Sequence, residues 1–314
     1  MDLAVMGTLV QTALELGLFS ALTVLALYLS YSMLNVCDLS TDGCFTIGAT
    51  VGAVVALAGH PYLSILAAIL AGVLSGFITA FLQTKMGIDS LLAGIIVNTA
   101  WYSVNIAIMG GSSLLNMNKT RTIFTDLSDI LKNTFLAGQA KLIIAATAVI
   151  LVVLFLSFFL RTRLGLAIRA TGNNPAMVKS SSINPVFTTI VGLCIANAFT
   201  ALSGCLLAQS QKSVNIDIGT GMVTIALASL LMGGVIITKG NVTIRAIGAV
   251  LGAILFRVVY TIALRFNMPA YMLKMVSSII VIIAISGPYF KRQIPLLKRM
   301  SELKKNRSNG EVSR

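Results

Sequence analysis

Apolar runs separated by short polar segments repeat along the whole chain, at 9–34, 45–59, 61–83, 91–109, 141–160, 186–208, 222–237, 246–264 and 271–289. A bilayer core about 30 Å thick takes roughly 20 apolar residues in a helix. The pattern therefore predicts an all-α polytopic transmembrane bundle of about eight to ten spans, including short or broken helices. The runs 45–59 and 222–237 are short for a full crossing. Both are rich in small residues and are candidates for corresponding halves of an internal repeat, although they share too little identity to establish one.

The polar segments carry the finer information. Residues 35–49 interrupt the apolar pattern with Asp38, Ser40, Thr41, Asp42 and Gly43. A polar break beside a short helix is tolerated at membrane depth only where it is buried in protein or lines a water-filled cavity. Asp38, Thr41, Asp42 and Gly43 are therefore candidate pathway residues, and the two carboxylates serve equally well as caps of the next helix. Asn98 and Trp101 in the fourth run, and Asn197 in the sixth, are candidates on the same grounds. The alternative for them is helix-to-helix hydrogen bonding, or lipid contact for Trp101. Arg257 and Lys274 read as cations that snorkel or pair near an interface.

Residues 161–185 form a basic island between two runs, with Arg161, Arg163, Arg169 and Lys179 and no acidic residue. Positive charge in short loops stays in the cytoplasm, so the island is expected to face inward, as is the basic tail 291–314. Counting spans back from the tail gives the island the same side. It places the mixed-charge segment 112–140 and the amino terminus outside. Within the island, Asn174 before Pro175 reads as a helix start, and Asn184 before Pro185 as a stop. A very short helix presented to the cytoplasm is the result.

Composition agrees with the pattern. The chain is 57% hydrophobic and only 11% charged, against about 25% charged for a soluble domain, and its mean hydropathy is +0.93. The formal charge of +13 does not point to nucleic acid. Eight of the 23 basic residues lie in 291–314 and four in the island, the distribution of segments next to anionic lipid. Cys37, Cys44, Cys194 and Cys205 lack ligand spacing, so no metal site is expected. No phosphate-binding GxxxxGK[ST] loop, GxSxG or HExxH occurs, so the chain is expected to be a non-catalytic subunit without a cofactor. The first run lacks a basic flank and a small-residue cleavage site and reads as a retained span.

The phrase Arg169-Ala170-x-Gly172-x-Asn174-Pro175, followed by Ile183, resembles the cytoplasmic loop of the permeases of branched-chain amino-acid and simple-sugar ABC importers. Residues 34–53 resemble that family's first recognisable phrase, and Asp38 to Gly43 is similar to the branch described as tryptophan or tyrosine importers. Residues 219–234 resemble its stretch ending in Leu-Gly-Gly, with Met232 in place of Leu. The likeness covers roughly residues 9–290. It implies a type II importer-like membrane domain over 1–290, with 161–185 as the segment that couples to an ATPase through Arg169, Gly172, Asn174, Pro175, Val178 and Ile183. It also implies two ATPase subunits, a second permease copy, an external solute-binding lipoprotein and a bacterial plasma-membrane location. The solute implied is an amino acid, aromatic or branched-chain; a nucleoside or sugar importer, and a secondary transporter or channel, stand as alternatives. Met177, Val178 and Ser182 depart from the family's small residues, which suggests a docking surface fitted to its own ATPase.

Overall fold

The computed structural model describes residues 3–132, 138–237 and 240–264, with helical positions at 275, 278, 279, 282 and 286. Most of the expected span 271–289 and all of the tail 291–314 lie outside the described residues. The chain opens with α1 (Leu3–Leu27), which continues through a π-helical turn at Tyr28–Met33, and proceeds through α2 (Thr41–Leu57), α3 (Pro61–Thr84) and α4 (Ser90–Ile108). A strand β1 (Leu114–Asn116) and helices α5 (Ile123–Leu131) and α6 (Ala140–Phe159) follow. The island holds α7 (Arg163–Asn173) and α8 (Pro175–Ser180). Beyond it lie α9 (Pro185–Gln211), β2 (Ser213–Asn215), a 3-10 turn at Ile216–Gly219, α10 (Met222–Ile236) and α11 (Val242–Leu264). Seven helical segments among the described residues are long and apolar enough to cross a membrane, and α2 is a shorter apolar helix.

α9 is the centre of the bundle. Small residues at its contacts with α2 and α3, among them Gly48, Gly76, Ala201 and Gly204, bring backbones together. In lipid there is little hydrophobic drive between helices, so such close van der Waals contact is what holds them. Buried hydrogen bonds add to it: Ser203 Oγ donates to the Phe19 carbonyl at 2.6 Å, and Gln209 Nε2 to Ser64 Oγ at 2.6 Å. The outward surfaces of α3 and α6 are mostly apolar, with Leu66, Leu70, Phe77, Ile150, Leu154 and Phe158 exposed. Lipid is the solvent such a surface fits.

Contacts sort the helix ends onto two faces. Gln11 Nε2 on α1 donates to the Gly138 carbonyl, which puts the start of α1 beside the 112–139 segment. The other end of α1 meets the island, since Met33 and Leu34 lie against Gly172 of α7. Arg161 reaches Thr243 at the start of α11. The island and the start of α11 thus share one face, and the 112–139 segment and the start of α1 the other, which matches the relative sides expected from charge.

Three local expectations change. The helix after the polar break starts at Thr41, not at 45, because Asp38 and Ser40 give it an N-terminal turn. The polar segment 112–140 proves to hold regular structure: β1 pairs antiparallel with β2, Leu115 opposite Val214, and Thr122 caps α5. Beyond α5, Lys132 binds Asp129 at 2.6 Å and holds its carboxyl below the usual carboxylate range. Finally, Asn184 begins a helix instead of ending one. Its side chain accepts from Val186 and Phe187 N–H at the start of α9, and Pro185 takes the first helical position. α8 has already closed at Ser181, and Ser182 turns the chain with φ of 60°.

Candidate functional site

Asn35 adopts a left-handed conformation, φ 55°, which a short polar side chain tolerates, and ends the α1 helix. The chain then runs without helix from the island face into the bundle. Asp38 stops it there. Its Oδ1 accepts from Ser40 N–H at 2.8 Å and Ser40 Oγ at 2.6 Å, and its Oδ2 accepts from Asn197 Nδ2 at 2.8 Å. Thr41 Oγ1 donates to the Asp38 carbonyl at 2.9 Å. Asn197 is twelve residues into α9, about 18 Å along its axis at 1.5 Å per residue, so α2 begins near mid-depth. Asp38 and Asn197 are buried at 2% and 1% exposure.

One turn further on, Asp42 reaches across to a second helix start. Its two carboxylate oxygens accept from Gly221 and Val223 N–H, each at 2.9 Å, at the beginning of α10. The first N–H groups of any helix lack internal partners and carry partial positive charge. A carboxylate from another helix satisfies both needs where water is scarce. α2 ends against Met109, Met117 and Val214 near the 112–139 face. α10 ends with Gly233 on Gly248 and Ile237 beside it, next to the start of α11 on the island face. Two short helices therefore start from one carboxylate and run to opposite faces.

Beside this junction lies an open cavity of about 300 Å³ between α2, α4 and the 216–220 turn. Asp42, Gly43 and Asn98 line it, as do Tyr102, Asn105 and Thr220. Gly43 lets α2 and α4 approach closely: a Cβ there would stand 3.1 Å from Asn98 Cα and 3.2 Å from Trp101 Cβ. Trp101 is turned away from lipid, at 8% exposure, packed behind Gly43 with its indole N–H donating to Ser75 Oγ at 2.8 Å. The candidate residues are thus grouped as Asp42, Gly43 and Asn98 on the cavity wall, Trp101 behind it, and Asp38, Thr41 and Asn197 in the buried cluster below. Tyr102 and Asn105 were not singled out from sequence. The signal was present, since 98, 102 and 105 follow i, i+4, i+7 spacing and, with Thr99 and Ser103 beside them, make one polar stripe on a mostly apolar helix. Arg257 pairs with no carboxylate among the described residues; its Nε donates to Ser20 Oγ, and the guanidinium lies 5.8 Å from the Tyr260 ring centroid.

On the island face, α8 is a six-residue helix capped by Asn174, whose side chain accepts from Met177 N–H at 3.1 Å. Arg169, Asn174, Pro175 and Ile183 are exposed, whereas Val178 is buried and anchors α8 from beneath. Gly172 seats α7 on the end of α1: a Cβ there would lie 2.7 to 2.8 Å from the Leu34 backbone. Gly172→Ala is expected to cost about 1–3 kcal/mol of stability through this overpacking, read as a lowered unfolding midpoint in detergent. An unchanged midpoint would mean the seat gives way freely. Arg161, Arg169 and Arg245 surround a neighbouring hollow of about 460 Å³ whose lining holds no acidic residue.

A multi-pass helical bundle with helices broken at mid-depth and a polar cavity at the break is the construction of a membrane permease. The comparisons agree: residues 10–285 match the family described as "Branched-chain amino acid transport system / permease component", and the chain belongs to it. That family comprises permeases of ABC transporters for small solutes such as amino acids and sugars. The chain is 30% identical over 267 residues to the tyrosine transport system permease protein of Clostridioides difficile (strain R20291), covering 85% of this chain and 86% of that one. It is 22% identical over 251 residues to the ribose import permease protein RbsC of Escherichia coli (strain K12), covering 79% and 75%. With the probable branched-chain amino acid transport permease protein LivH of Methanocaldococcus jannaschii it shares 24% over 220 residues, covering 69% and 61%. No solved structure matches.

Proposed function

We propose that the chain is the pore-forming subunit of an ATP-driven importer that carries a small amino acid, aromatic or branched-chain, into a bacterial cell. The exposed, acid-free island carries this reading. Arg169, Asn174, Pro175 and Ile183 stand free on one face, attached through Gly172 to the end of a spanning helix, and the chain itself holds no nucleotide-binding loop. An ATPase subunit docked on that face would move α7 and α8 as a body and rock the attached spans between two states, favouring the one it binds more tightly. A groove of about 630 Å³ beside Arg169, Gly172 and Asn173 is wide enough to take part of such a partner.

In this reading the island faces the cytoplasm, and a binding protein delivers solute to the 112–139 face. A second copy completes the pathway against α4, whose exposed surface includes Thr99, Tyr102 and Ser103 among its apolar residues. The amino-acid solute follows the tyrosine permease relative, with its 30% identity across most of both chains.

Two measurements test it. A tagged copy, extracted in mild detergent, should bring down an ATPase subunit, and repeated failure to do so would sink the importer reading. The double substitution Asn174→Ala with Pro175→Ala removes a cap worth about 1 kcal/mol from a helix of six residues, which has no length to spare. It should lower uptake at least tenfold and abolish solute-stimulated ATP hydrolysis; full coupling in the double variant would count against docking through α8.

A further inference from the structure

Asn105 is 1% exposed, yet among the described residues neither its Oδ1 nor its Nδ2 has a hydrogen-bond partner. It lies in the wall of the cavity between α2, α4 and the 216–220 turn. Buried amides are almost always paired, because leaving both halves of one unsatisfied forfeits the hydrogen bonds it made to water. A purely structural position in an apolar helix would be filled better by leucine. Asn98 and Tyr102 line the same cavity.

We propose that this cavity is a binding station for solute within a single permease copy, in which the Asn105 amide is the polar anchor. An amide offers a donor and an acceptor side by side. Its complement is a solute with an acceptor and a donor on neighbouring groups, which describes both the ammonium and carboxylate of a zwitterionic amino acid and the vicinal hydroxyls of a sugar. The rest of the lining narrows the charge. Asp42 brings a carboxylate, already holding Gly221 and Val223 N–H, and no lysine or arginine is present. A net anion is therefore excluded, and an electrically neutral solute fits. The volume of about 300 Å³ is at the small end of ligand cavities, suited to one amino acid or monosaccharide.

The inference rests on the permease reading but can be tested without the ATPase. Trp101 is the only tryptophan in the chain, and it packs behind Gly43 of the same wall, so its emission reports on the cavity. The purified full chain in lipid nanodiscs would be titrated with L-leucine, L-tyrosine, D-ribose and succinate. A saturable emission change is expected with at least one of the first three, the responding probe separating amino acid from sugar, and none with succinate. In Asn105→Leu the same change should need about tenfold to a hundredfold more probe, the range for a hydrogen bond to a charged group, while the unfolding midpoint rises because an unpaired amide has gone. Asn105→Asp, which keeps the shape but lacks the donor, should weaken the two amino acids likewise if Asn105→Leu does not fold. No response to any neutral probe, a response to succinate alone, or titrations unaltered by both variants would overturn the station. Absence of ATP-driven uptake by the whole assembly would instead overturn the importer reading and leave the titration intact.

Discussion

Asp42→Ala is expected to abolish uptake and to lower the unfolding midpoint of the purified chain. Two backbone N–H groups, those of Gly221 and Val223, depend on this one carboxylate at the start of α10. Each costs about 1–3 kcal/mol when left unpaired away from water, and the loss of negative charge at a helix N-terminus adds about 0.3–1 kcal/mol. A loss of about 3 kcal/mol or more is a large share of a typical folding free energy. The functional effect should exceed the stability effect, because the bond joins two helices that lead to opposite faces. Asp42→Asn keeps one acceptor and presents an NH₂ to the second donor, so an intermediate loss is expected. Melting in detergent and uptake by reconstituted vesicles would be measured together; an alanine variant that transports normally would show that the junction is dispensable.

The second large effect is at Asp38. Alanine there removes three hydrogen bonds at once and strands the Asn197 amide in a site with 1% exposure. Hydrogen bonds between helices in lipid average only about 0.6 kcal/mol when unfolded helices find other partners. Asp38 differs because two of its bonds come from its own helix start, where Ser40 has no substitute. We expect about 3 kcal/mol of destabilisation, on the scale set for buried unsatisfied groups. Adding Asn197→Leu should recover part of it, since removing both partners leaves nothing unpaired. A double variant as unstable as the sum of the two singles would show that Asp38 and Asn197 act independently.

The spans and the island were legible in sequence because lipid leaves few choices: backbone groups must be satisfied within each helix, and basic residues keep to one side. Asn174 was legible as a cap for the same local reason, a side-chain oxygen within reach of the third residue on. Asn184 misled because Asn-Pro has two local meanings, an end for the helix before it and a start for the helix after it. Which one holds depends on Ser182, whose left-handed turn lets α8 close early. The break at 35–43 was visible as polarity, but its partner was not. Asp42 and Gly221 are 179 residues apart, and nothing in either segment names the other. Trp101 had both lipid-facing and inward readings, which only the position of Ser75 on α3 separates. Asn105 escaped because a single amide in an apolar helix looks like any helix contact until its partners are sought and not found.

The π-helical turn at Tyr28–Met33 bears on how force enters the bundle. Leu34 N–H reaches back five residues to the Leu29 carbonyl, where an α-turn reaches back four, so this part of the helix is wound wider than the rest. The turn is pinned at its first residue, since Tyr28 Oη donates to the Val242 carbonyl at 3.1 Å; its last residue, Met33, and Leu34 after it carry the seat of α7. Rewinding to an ordinary α-turn would expel one residue and swing that seat about 100° around the helix axis. The island, joined by the chain to α6 and α9, thus also rests on a turn of α1 wound wider than its neighbours. In the proposed importer, a push on α7 would reach α1 at this turn, where rewinding would turn the seat around the helix axis.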